Sequence, residues 1–236
     1  MQLQDQIAAL NAQMQALTER VGKVESRPIA TAAAPVTNEG GAAPQNLTDR
    51  NTGVGLDYAQ VVLIGERRQL NEGLRIASPS YLEGVFGRPR AVLSDDCEAM
   101  TNNRLKSKLV LDTVGPIRVR MLQPAADSLT RVFAKIEATD PDLYARINTA
   151  GSLCVRQIRG SRQRTSTHSF GLSVDLNIDG QLDRLGDGRT QLGLTILADF
   201  FREEGWYWGA GFTREDSMHF EASRDQVERW IAEGAL

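Results

Sequence analysis

Ser166-Thr167-His168-Ser169-Phe170-Gly171-Leu172-Ser173-Val174-Asp175-Leu176-Asn177 is the stretch on which the reading of this chain turns. Leu172, Val174 and Leu176 alternate with Ser173, Asp175 and Asn177, the period-2 pattern of a half-buried strand. The apolar set is expected to face a core, which turns Asp175 toward a polar cleft. Gly171 stands just ahead of that strand and can take a turn conformation closed to other residues. His168 and Asp175 are therefore expected to converge on one point.

A second stretch, Asp216-Ser217-Met218-His219-Phe220-Glu221, lies in a short strand expected from Ser217 to Ala222. With Met218 and Phe220 turned inward, His219 and Glu221 project to the opposite face. The chain has two histidines, His168 and His219, and both sit in acidic, glycine-flanked segments of its last third. Two imidazoles and one carboxylate form a catalytic zinc set of three protein ligands with a position left for water. Such chemistry needs a further carboxylate to take and return a proton. Asp216, three residues before His219, is the candidate, and Glu221 suits a partner that orients the His219 imidazole.

Ser-x-His-x-x-Gly-x-x-x-Asp followed by Asp-x-x-His resembles the zinc D-Ala-D-Ala carboxypeptidase family, which includes L-alanyl-D-glutamate endolysins and shares its fold with the hedgehog signalling domain. The resemblance spans roughly residues 88 to 223. It takes in Arg156-Gln157-Ile158-Arg159-Gly160-Ser161 and Gly205-Trp206-Tyr207-Trp208-Gly209. It implies an α+β domain of the hedgehog/DD-peptidase type, with one Zn2+ on His168, Asp175 and His219 and Asp216 as catalytic carboxylate. It also implies Arg159, then Arg156, as the group that holds substrate and polarises the scissile carbonyl, a task suited to a fixed guanidinium. Ser166 matches a substrate-contacting serine, and Trp208 is taken as a further substrate contact. Where relatives often read Trp-Gly-Gly, this chain has Trp208-Gly209-Ala210.

The rest of the chain is consistent with such a domain over 56–236. Helical patterns run from Pro124 through Leu129, Val132, Phe133 and Ile136, from Gln191 through Leu194, Leu197, Phe200 and Phe201, and through Val227, Trp230 and Ile231. Ile117, Val119 and Met121 alternate as a strand. Helices and short strands follow one another without βαβ regularity, which favours α+β. Ahead of the domain, residues 27–55 are rich in Ala, Pro and Thr and read as a flexible tether. Residues 1–26 carry Leu3, Ile7, Leu10, Met14, Leu17, Val21 and Val24 at unbroken four-three spacing, a coiled-coil heptad pattern.

Composition excludes several alternatives. The longest apolar run, Val61 to Ile64, is far short of the roughly 20 residues of a membrane-spanning helix. A net charge of −3 argues against nucleic acid as the main partner. Met1–Gln6 lacks the features of a secretory leader, so the expected location is the cell envelope with a leader missing, or the cytoplasm with release on lysis. Cys97 and Cys154 lack Cys-x-x-Cys spacing and are open to one disulfide. Asp175-x-Asn177-x-Asp179-Gly180 copies half a calcium loop, and Cys154 with His168 offers a cysteine-peptidase pairing; both are minor readings. Two functions remain: a zinc peptidase acting on peptidoglycan peptide stems, or a zinc-containing wall-binding module without turnover. The heptads predict a homo-oligomer through residues 1–26, so light scattering should give a dimer for the full chain and a monomer from residue 56 onward. A monomeric full chain at tens of micromolar would refute the coiled coil.

Overall fold

The computed structural model describes residues 57–67, 69–158, 160–161 and 164–236. The heptad segment 1–26, the tether 27–55, and Arg159 lie outside the described residues. Gly55–Leu236 forms one compact unit.

The elements follow the hydrophobic pattern. In chain order they are β1 (Val61–Leu63), α1 (Pro79–Phe86), α2 (Asn103–Lys106), β2 (Leu109–Val114), β3 (Ile117–Leu122), α3 (Gln123–Thr139), α4 (Pro141–Tyr144) and β4 (Ile147–Gly151). A 3-10 turn at Thr167–Phe170 then leads to β5 (Ser173–Ile178), β6 (Arg189–Gln191), α5 (Leu192–Glu203), β7 (Trp206–Trp208), β8 (His219–Ala222) and α6 (Arg224–Ala232). Helices and mostly antiparallel strands are mixed along the chain, as an α+β domain requires.

The central layer is a four-stranded sheet in the order β4-β5-β8-β7, antiparallel throughout. Helix α3 starts with Pro124 in its first turn, where the missing N–H costs nothing. Its Leu129, Val132, Phe133 and Ile136 are fully buried, and truncating any one to alanine would cost about 2–5 kcal/mol. Asp140 closes α3 through its N–H on Ile136 O (2.7 Å) and opens α4 by accepting from Leu143 N (3.0 Å). Gln191 precedes α5 without capping it, because its amide is bonded to both Ile178 N (2.8 Å) and Ile178 O (3.2 Å) of β5.

On the polar face of β5 Asp175 keeps partial access, as expected, while Ser173 and Asn177 beside it are 0% and 2% exposed. β5 is paired along both edges by β4 and β8 and is buried on both faces, which a period-2 pattern does not reveal. The last strand is shorter than expected, with Ser217 and Met218 in a turn before His219. Among the described residues, no helix is long and apolar enough to cross a membrane.

Cys97 and Cys154 form a disulfide that bridges 57 positions of sequence. Backbone bonds fasten the same two segments: Glu98 N to Val155 O (3.0 Å) and Gln157 N to Ser94 O (2.8 Å). Closing a loop of this length stabilises by about 4 kcal/mol in the chain-entropy account. Replacing both cysteines by serine should lower unfolding free energy in a urea titration by about 2–4 kcal/mol. Two free thiols in the unfolded, unreduced protein would contradict the bond.

Candidate metal centre

The pairing of β5 with β8 builds the centre. Its register sets Asp175 directly opposite His219 and Ser173 opposite Glu221, so these four side chains share one sheet face. His168 arrives from the 3-10 turn, which ends at Gly171 with φ +70°, a left-handed conformation. The expected convergence of His168 and Asp175 is thus realised by this turn.

His168 Nε2, Asp175 Oδ1 and His219 Nδ1 form a near-equilateral triangle with sides of 3.0–3.1 Å. Each imidazole is fixed from behind. His168 Nδ1 lies 2.5 Å from the Ser152 carbonyl, and His219 Nε2 lies 2.9 Å from Glu221 Oε2 and 3.3 Å from Thr167 Oγ1. The Ser152 carbonyl and the Glu221 carboxylate can only accept, so these outer nitrogens donate. The two inner nitrogens then present lone pairs toward a carboxylate oxygen. Donor atoms so close together favour a shared positive charge, which a proton on His219 or a bound metal ion supplies.

The ionisation of the groups gives the same answer. Burial opposes charge on His219, but hydrogen bonds to Asp175 and Glu221 outweigh it and lift its pKa to about 10. Burial would raise the Asp175 carboxyl, yet the two imidazoles hold it far below the usual carboxylate range. A tetrahedral zinc with bonds of about 2.0–2.1 Å needs donor separations of roughly 3.3 Å. The donor set and its spacing therefore fit zinc after shifts of about 0.3 Å. His168, Asp175 and His219 form the one such metal-capable group among the described residues. Both histidines are nearly enclosed, while the Asp175 side chain is 28% exposed, so access is from its side.

Asp216 sits in the segment leading into β8. Burial raises its pKa, as does the charge of Asp175, against the opposing pull of His219 and His168. Among the described residues its carboxylate makes no hydrogen bond, leaving it available as a proton acceptor. Gly209 makes room for it: a Cβ there would stand 2.5 Å from Asp216 O and 3.0 Å from His219 Cβ.

Other residues singled out from sequence are placed variously. Ser166 is buried beside the turn, its N–H on Arg156 O (3.0 Å). Arg156 is half-buried and donates to Gln157 O (2.9 Å). Trp208 is 2% exposed, donates its indole N–H to Ser217 O (2.7 Å) and stacks on Phe220, so it supports the site from within. A separate cavity of about 390 Å³, lined by Ile64, Leu70, Thr195, Arg202 and Trp208, includes none of the three candidate ligands. Both minor readings fail. Asp179, the third candidate ligand of the half calcium loop, is paired with Arg146 (Oδ1 to Nε 3.0 Å), and Cys154 has no free thiol. Sequence reasoning missed Ser152 and Thr167. Ser152 acts through its carbonyl, which every residue has, so no residue type signals it.

Residues 159–222 match the family model described as D-alanyl-D-alanine carboxypeptidase. No curated protein matches the chain. The matched span contains His168, Asp175 and His219, which the geometry gathers, together with Glu221 and Asp216. Through residues 159–222, the segment that carries both histidine motifs, the chain is similar to the D-alanyl-D-alanine carboxypeptidase family.

Proposed function

We propose that the chain is a zinc-dependent peptidase that hydrolyses the peptide stems of bacterial peptidoglycan, as a carboxypeptidase or an endopeptidase. The observation that supports this most is the triangle of inward donor atoms on His168, Asp175 and His219, with the unbonded Asp216 carboxylate within its electrostatic reach.

His168, Asp175 and His219 would hold one Zn2+, which supplies Lewis acidity and lowers the pKa of a water to roughly 7. Asp216 takes a proton from the water as its oxygen attacks the scissile carbonyl carbon. It returns that proton to the leaving nitrogen as the C–N bond breaks, so one carboxylate serves both halves of the reaction. Its pKa, raised by burial, suits the return step. The Ser152 carbonyl and Glu221 keep the imidazoles in the ligating tautomer. Arg159, with Arg156 next, carries the substrate oxygen; this role rests on the sequence motif. Ser166 contacts substrate, and Trp208 contributes as the wall behind the site. A binding module without turnover would give Asp216 no proton to carry, and its side chain makes no hydrogen bond to any described residue. Oligomerisation through residues 1–26 would tether several such sites and raise their effective concentration on a polymeric wall.

Asp216→Ala should retain about one zinc per chain and its fold while turnover on purified peptidoglycan falls about 100- to 10,000-fold. Asp175→Ala should instead lose zinc. Parallel metal analysis and mass spectrometry of released peptides check both, and full activity in Asp216→Ala would refute the mechanism.

A further inference from the structure

The turn between β7 and Asp216 is held from outside the matched span. Asn71 is buried and acts on Trp208 like a neighbouring strand: its Nδ2 donates to Trp208 O (2.9 Å) and its Oδ1 accepts from Trp208 N (2.7 Å). Arg67 donates from Nε to Ala210 O (3.0 Å) and from its terminal nitrogen to Phe212 O. No described carboxylate pairs with this guanidinium, so its charge is spent on the two carbonyls of one turn. Gly211 permits the close approach, for a Cβ there would lie 2.5 Å from Asn71 Nδ2. The clamp itself stands on consecutive tight turns, with Gln69 N on Glu66 O (2.8 Å), Glu72 N on Gln69 O (3.0 Å) and Leu74 N on Asn71 O (3.0 Å).

The clamped turn leads directly into the site. Gly209 O accepts from both Phe212 N and Asp216 N at 3.0 Å, and Asp216 O accepts from His219 N at 3.1 Å. The Phe212 ring lies 5.6 Å from the His219 imidazole and stacks on Tyr207 at 5.7 Å. Moving Ala210 or Phe212 therefore shifts the anchor of Asp216 and a wall of His219 together.

We propose that Arg67 and Asn71 are positioning residues: they lock the Trp208–Phe212 turn and thereby fix the placement of Asp216. The catalytic half of this inference rests on the peptidase reading; the structural half does not. Both residues precede the matched span 159–222, so the proposal makes the preceding segment an integral part of the site. Displacing a reacting group by about 1 Å can cost about 100-fold in rate.

The test uses the full chain supplied with zinc and compares the wild type with Arg67→Met, Arg67→Lys and Asn71→Ala. In Arg67→Met, hydrogen exchange at the Phe212 and Asp216 amides should quicken at least about tenfold while β5 amides stay protected. On peptidoglycan fragments kcat should fall about 10- to 100-fold, with KM within about threefold and zinc content unchanged. Arg67→Lys, which can still donate to one carbonyl, should recover part of kcat. Asn71→Ala should reproduce the effect by an independent route and stands in if Arg67→Met does not fold. Unchanged exchange at Asp216 in both variants overturns the proposal, as does faster exchange with unchanged kcat. If the wild type releases no peptide, the peptidase reading falls and amide exchange alone decides whether the clamp fixes Asp216.

Discussion

The antiparallel register of β5 on β8 is the constraint on which the centre depends. It sets Asp175 against His219 and, one pair along the same face, Ser173 against Glu221. One backbone pairing therefore delivers two donor atoms and the carboxylate that orients one of them. A slip of one residue would send all of these side chains to the other face of the sheet. Val174 and Phe220, opposite each other and fully buried, oppose such a slip with the free energy of core packing. The chemistry on one face is thus held in place by the apolar residues on the other.

That face carries an electrostatic load that the fold alone does not relieve. Three potential metal-donor atoms meet at 3.0–3.1 Å, and behind them Glu221 Oε1 and Ser173 Oγ are buried without a hydrogen-bond partner. Unsatisfied buried polar atoms cost about 1–3 kcal/mol each. Two such atoms behind the donor triangle accord with a site maintained for something other than stability. A bound cation would offset much of this load and tie metal affinity to folding. The 3-10 turn, the Cys97–Cys154 bond and the Arg67–Asn71 clamp each secure one strand of chain around the centre.

How much of this was legible follows from how each residue acts. The alternation of Leu172, Val174 and Leu176 placed β5 and brought Asp175 to the right face, because a strand's period is a local property of the chain. Pairing the two histidine motifs was legible because imidazoles were so scarce, and the match over residues 159–222 bears out the family resemblance. Helices α3, α5 and α6 followed their apolar spacing. Burial of Ser173 and Asn177 was not legible, since it depends on what packs against that face of the sheet. Ser152 was hidden because a carbonyl has no residue type. Arg67 and Asn71 were hidden because their partners are backbone groups more than 130 positions away. The disulfide needed the spatial distance between two cysteines, which spacing along the chain does not contain.

Anomalous diffraction at the zinc edge, on crystals of the full chain grown with zinc, tests the central claim most directly. The account predicts a peak within about 2.0–2.2 Å of His168 Nε2, Asp175 Oδ1 and His219 Nδ1, with Glu221 still bonded to the far nitrogen of His219. A peak on other residues, or zinc ligated through His219 Nε2 with Glu221 displaced, would contradict it.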